Sequence, residues 1–114
     1  MITREHRFHG RNSLRYVYRA GKTLRSPHLA LRYCPNDRQA HYRAAVVVSK
    51  KVSKSAVVRN RIRRRLYEIL RHHQSEIVKP VDMVLTVYSP LLAVIPAGEL
   101  EAVLVRLLRQ IGTP

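Results

Sequence analysis

The segment "VDMVLTVY", residues 81 to 88, constrains the fold most, because it is apolar almost throughout and is bracketed by Pro80 and Pro90. A strand with one wet face alternates apolar and polar residues, whereas this one needs cover on both sides. It predicts a central strand. "HYRAAVVVS", 41 to 49, is a β-branched strand that becomes apolar on both faces. "HLALRYC", 28 to 34, follows Pro27 and sets Leu29, Leu31 and Tyr33 against His28, Ala30, Arg32 and Cys34 before the turn-forming "PND". These two segments are expected to pair as an antiparallel hairpin.

Three helical segments fall around the strands. From Asn12 or Ser13 to Ala20, Leu14, Val17 and Tyr18 share one face, Arg11, Arg15 and Arg19 another, and Gly21 is a stop. In "PAGELEAVLVRLLRQIG", Pro96 opens a helix and Gly112 closes it. Its Leu100, Val103, Leu104, Leu107, Leu108 and Ile111 form a core stripe. The third segment is "SAVVRNRIRRRLYEILRHH", Ser55 to His73. The order αββαβα predicts an α+β fold, a two-layer sandwich of helices on a central three-stranded sheet, with a fourth strand if the N-terminal leader or a loop pairs. A chain of 114 residues suits a single domain spanning 1–114, with 1–10 as a basic, extended leader.

Charge narrows the function. There are 22 Lys plus Arg against 7 Asp plus Glu, a net +15. Residues 1 to 71 hold 19 of the basic and 3 of the acidic residues, so the excess belongs to the first two-thirds of the chain. A surplus on this scale repels itself and implies a polyanionic partner. The longest apolar runs are far below the roughly 18 residues that span a bilayer, and "MITREHRFHGRNS" lacks the apolar segment of a secretory signal. No membrane association and a cytoplasmic location are the expectations. Cys34 is single, at the end of an apolar stretch, and reads as a small buried hydrophobe.

Projecting residues 58 to 73 at about 100° per residue gathers Val58, Ile62, Leu66, Ile69 and Leu70 on one stripe, which must pack on the sheet. Asn60, Arg64, Tyr67 and Arg71 fall near the opposite pole, Arg61 and Arg63 on the flanks, and Arg59 and Arg65 beside the apolar border. Glu68 is the one acidic residue on the segment. A solvated structural helix interleaves Glu with Lys, whereas this one accepts repulsion among arginines, whose guanidinium forks grip phosphate bidentately and stack on bases. Lys50, Lys51 and Lys54 precede the helix, whose N-terminal amides add a further anion site. Nucleic-acid binding is the reading this pattern favours.

Single-stranded RNA is held by aromatic rings beside a basic groove. Phe8, Tyr16, Tyr18, Tyr33, Tyr42 and Tyr88 are candidates, and Tyr18 and Tyr33 stand out because each neighbours an arginine. A protein-borne nuclease site needs clustered carboxylates or a paired His acid and base. The acids Glu5, Asp37, Glu68, Glu76, Asp82, Glu99 and Glu101 are scattered, and the pairs His6/His9 and His72/His73 have no such setting. No catalytic or metal-ligating residue is expected.

"SKKVSKSAVVRNRIRRRLYEILR", with "SLRYVYRAGK" before it and "DMVLTVYSP" after, resembles the protein subunit of bacterial ribonuclease P over most of the chain. The resemblance implies an αββαβα fold whose basic helix lies in a left-handed βαβ crossover, contrary to the usual hand. It also implies a division of labour. A catalytic RNA uses Mg²⁺, held mainly by RNA and substrate, to cut the 5′ leader from precursor tRNA, and the protein, monomeric in the ribonucleoprotein, binds the RNA and the leader.

Matched by position, Arg59, Asn60, Arg61, Arg63 and Arg64 carry the RNA-facing signature, and Lys50 and Lys51 the paired lysines, with Lys54 and Arg71 as further RNA contacts. Tyr18, Tyr33, Arg32, Arg15 and Ser49 are the expected leader contacts. Leu14 stands where a second aromatic is frequent, Arg32 where the facing strand carries one, and Tyr67 where the signature usually has a base, so Arg32 or Tyr33 is expected to compensate. The alternative from another class is a ribosomal or RNA-chaperone-type binder of structured RNA without turnover.

Overall fold

The computed structural model describes residues 11–36, 41–77 and 80–111. The basic leader expected over 1–10 and the helix stop at Gly112 lie outside the described residues. Helix α1 (Arg11–Ala20) is followed by strands β1 (Lys22–Arg25), β2 (Leu29–Pro35) and β3 (Arg43–Val47). Then come helix α2 (Ala56–His72), strand β4 (Val81–Val87) and helix α3 (Ala97–Gln110), with single 3₁₀ turns at Gln74–Glu76 and Pro90–Ala93.

The sheet order is β1-β2-β4-β3. As its composition demands, β4 is central and is buried at every position except the half-buried Thr86. It pairs antiparallel with β2, with Leu31 opposite Leu85, and parallel with β3, with Val46 opposite Leu85. The expected hairpin between residues 28–34 and 41–49 is therefore wrong: β4 inserts between them. A strand apolar on both faces gains most from two strand neighbours, and that outweighs the tendency of consecutive strands to pair.

The hairpin that does form joins β2 to β1, the fourth strand, whose "KTLR" has too little alternation to be read as one. Its turn is closed by Ser26, whose amide and hydroxyl both donate to the Leu29 carbonyl, at 2.9 and 2.8 Å. Joined through α2, the parallel pair β3 and β4 forms a βαβ crossover.

The main core lies on one face of the sheet. Leu29, Leu31, Tyr33, Ala44, Val46, Met83, Leu85 and Val87 meet Ile62, Leu66 and Leu70 of α2 and Leu100, Leu104 and Leu108 of α3. Each fully buried leucine here contributes about 1.5–3 kcal/mol. On the opposite face α1 sets Val17 against Cys34, Ala45 and Val84, and Cys34 is the small buried hydrophobe expected of it.

On the α1 face, beside Cys34, lies an ion pair whose carboxylate is buried. Asp82 is 5% exposed and accepts from Arg43 Nε (2.9 Å), Arg43 Nη2 (2.7 Å) and Asn36 Nδ2 (2.8 Å), tying the starts of β3 and β4 to the end of β2. Burial and the neighbouring Asp82 charge push the Cys34 thiol up from its ordinary pKa. At the far end of α2, Arg109 of α3 grips Glu76 through Nε and Nη2 at 3.0 and 3.2 Å. Among the described residues no helix is long and apolar enough to cross a membrane.

Candidate nucleic-acid interface

Helix α2 begins at the N-cap Ser55, whose hydroxyl accepts from the Val58 amide at 3.3 Å. Its first turn holds no acidic residue, so the positive helix end is uncompensated within that turn. The loop before it is shaped by Arg59, which donates through Nη1 to the carbonyls of Ser53 (2.9 Å) and Lys54 (3.2 Å). These bonds tie the loop to the first turn of the helix, and Ser49, Lys50, Lys51 and Lys54 along it are exposed.

The arginines of α2 fall into two groups. Arg64 is exposed and Arg61 lies on the open flank, and among the described residues neither has a hydrogen-bond or ion-pair partner. Arg63 donates to Asn60 Oδ1 at 2.7 Å and to the Val48 carbonyl at 3.4 Å, which sets both side chains of the signature on the β3 side of the helix. Arg65 is committed to the fold: Nη1 donates to the Leu92 carbonyl at 2.7 Å and Nη2 to that of Ile95, holding the Pro90–Ala93 turn against α2. Burial and then the Arg61 charge push the Arg65 pKa down. Arg61, Arg64, Arg65 and Glu68 line a shallow open hollow. Arg71, expected on the RNA, is paired with Glu68, whose carboxyl is held down to about 2, first by that hydrogen bond.

Tyr67 corrects the helical projection. It is 7% exposed, not at a solvent pole, and its hydroxyl accepts from the Val46 amide at 3.1 Å. Strand β3 is an edge strand, so its outer amides and carbonyls lack strand partners. Tyr67 takes the Val46 amide and Arg63, one turn earlier, the Val48 carbonyl, so this flank of α2 covers the edge.

On the α1 side of the sheet, Tyr18 and Tyr16 are 42% and 50% exposed, and Arg15 is exposed. Tyr18 Oη and Thr86 Oγ1 share a hydrogen bond of 3.4 Å. Thr86 is opposite Val47 of β3, and Val47 leads directly to Ser49 and the lysines. The ring of Tyr18 and the start of α2 therefore stand at the same end of the β3–β4 pair. An exposed ring beside the half-buried Val47 and a cationic rim is a surface on which an extended strand of bases can stack while its phosphates meet lysine and arginine.

Tyr33 does not belong to that surface. Alternation sends it to the opposite face, 8% exposed in the main core, so it cannot compensate for a missing aromatic. Tyr42 is also buried, its hydroxyl donating to Gln74 Oε1 at 3.4 Å and its pKa pushed up to about 12 by burial. Arg32 does face the α1 side, where its guanidinium is occupied by α1 and β1. Tyr88 is exposed at the end of β4, and Phe8, His6 and His9 lie outside the described residues. Among the described residues no three His, Cys, Asp or Glu side chains come together as a metal-holding group.

Comparison with known proteins bears on both fold and family. The family model described as Ribonuclease P matches residues 2–112. A ribonuclease P protein component from Roseiflexus castenholzii is 41% identical over 96 residues, 84% of this chain and 77% of its own. That of Synechocystis is 43% identical over 72 residues, where the match spans 57% of the relative's length. Among solved structures, the RNase P protein of Staphylococcus aureus superposes with a TM-score of 0.82 at 22% identity, covering 94% of this chain and 95% of that one. The Thermotoga maritima RNase P protein gives 0.82 at 23% identity, over 91% and 96%. At these identities the structures speak for the fold.

Proposed function

The chain belongs to the ribonuclease P protein family, and on that premise we propose that it is the protein subunit of a ribonucleoprotein that removes the 5′ leader from precursor tRNA. The observation that carries the proposal is the junction of two surfaces at one end of the β3–β4 pair: unpartnered Arg61 and Arg64 with Lys50, Lys51 and Lys54 on one side, and the exposed ring of Tyr18 on the other. The first binds the phosphates of the catalytic RNA, and the second receives the single-stranded leader. Cations on a rigid helix neutralise phosphate charge that would otherwise require more divalent ion, so the ribonucleoprotein works at lower Mg²⁺. Family membership favours this reading over a ribosomal or RNA-chaperone-type binder.

Four carboxylates among the described residues are already engaged within the protein. Asp82 is taken by Arg43 and Asn36, Glu68 by Arg71, Glu76 by Arg109, and Glu101 lies 3.2 Å from His73 Nε2. In this reading Mg²⁺ is held mainly by the RNA and the substrate phosphates, and no side chain here is given a bond-breaking role. The protein is taken as monomeric within the ribonucleoprotein and cytoplasmic with it.

Site-directed crosslinking tests the two surfaces. A photoreactive group on Tyr18→Cys is expected to mark leader nucleotides, and one on Arg64→Cys the catalytic RNA, while buried Cys34 stays unlabelled. Adducts from position 18 confined to the catalytic RNA would contradict the leader assignment.

A further inference from the structure

We infer that Arg32 is a positioning residue that sets α1, and with it Tyr18, over the sheet. Arg32 Nε donates to the Val17 carbonyl at 3.1 Å and Nη1 to Thr23 Oγ1 at 2.7 Å, so one guanidinium bridges the last turn of α1, β2 and β1. The Val17 carbonyl also accepts from the Gly21 amide at 2.8 Å. It is among the last carbonyls of α1, where a cation meets the negative end of the helix dipole. Gly21 permits this close approach: a Cβ there would lie 2.5 Å from the Val17 oxygen and 2.8 Å from the Tyr33 oxygen.

Opposite this clamp, α1 is held on the sheet by buried Val17 and by the bond from Tyr18 to Thr86. Val17 and Tyr18 are adjacent, so the carbonyl gripped by Arg32 is covalently next to the residue whose ring faces the leader. Arg32 and Thr23 fix the tilt of α1, and the tilt fixes the height of Tyr18 above Thr86. A planar fork with rigid donors suits that bridge, whereas a lysine reaches one acceptor at a time.

The inference rests on the leader-binding reading, and two variants in the reconstituted ribonucleoprotein test it. Arg32→Gln and Thr23→Val are assayed on a long-leader and a truncated-leader precursor, with thermal melting as the control for folding. Both variants are expected to raise KM for the long-leader precursor, Arg32→Gln by roughly tenfold and Thr23→Val by less. The kcat and the truncated-leader KM are expected to stay unchanged. Thr23 is the discriminating position, because its hydroxyl bonds the Arg32 guanidinium. A rise with Arg32→Gln and none with Thr23→Val would make Arg32 a direct contact and overturn the inference, as would equal rises on both precursors. A wild-type ribonucleoprotein indifferent to leader length would instead overturn the leader-binding reading beneath it.

Discussion

Tyr67 Oη accepts the amide hydrogen of Val46 at 3.1 Å, and this bond satisfies a buried donor on the free edge of β3. An aromatic thus stands within the basic helix for a structural reason: a phenol can reach across to the strand and bury its ring in the same step.

Tyr67→Phe keeps the ring and removes the acceptor. An unpaired buried amide costs about 1–3 kcal/mol, so urea unfolding is expected to show a lower midpoint with an unchanged slope. RNA affinity measured on the folded protein should be retained, since the hydroxyl faces the sheet.

The two groups of arginines separate by their response to salt. Arg64→Ala, and likewise Arg61→Ala, is expected to weaken RNA binding and to reduce the log-log salt slope by roughly 0.7 to 0.9 for each phosphate that the side chain had neutralised. Arg65→Ala leaves the Leu92 and Ile95 carbonyls without their donor. It is expected to destabilise the fold by about 1.5–3 kcal/mol with the slope preserved. Filter binding over a salt series, paired with thermal melting, checks both.

Arg43 and Asp82 form the one buried ion pair on the sheet among the described residues. Arg43→Met leaves the Asp82 carboxylate buried with Asn36 as its named donor. The expected loss is about 3 kcal/mol, read from denaturant unfolding. Asp82→Asn is milder, because it removes the charge that needs a partner.

Acid sensitivity follows from the exposed pairs. Glu68 is held below its ordinary 4.5 to about 2 by Arg71, and Glu76 is lowered by Arg109. A carboxyl with a depressed folded-state pKa contributes stability that is present above its unfolded pKa and is lost as pH falls through the folded value. Stability is expected to decline from about pH 4.5 downward, and Glu68→Gln or Glu76→Gln to flatten that decline, more at low salt than at high salt. Melting temperatures across this range measure it.

Much of the fold was legible because burial leaves periodic marks. The apolar run of β4, the stripes of α2 and α3, and the alternation in β2 each say which face is covered, and each is covered so. Pairing partners leave weaker marks: nothing local says that β2 prefers β4 to β3, and "KTLR" of β1 is too short and too polar to declare itself.

Charge marked the candidate interface but could not rank its arginines. Whether a guanidinium is spent on a carbonyl, as for Arg65 and Arg32, depends on chain segments 27 and 15 residues away. The face of Tyr33 was readable from its alternation with Leu29 and Leu31, yet its neighbouring arginine drew it to the wrong surface.

In the function proposed for it, this protein assists an RNA catalyst and breaks no bond itself. The decisive measurement is cleavage of a 5′-labelled precursor tRNA at low Mg²⁺, with the protein alone, the cognate RNA alone, and both together. Intact precursor is expected with the protein alone, and 5′ cleavage by the RNA is expected to be strongly stimulated by the protein. Cleavage by the protein without any RNA subunit, or no stimulation of the cognate RNA, would contradict this function.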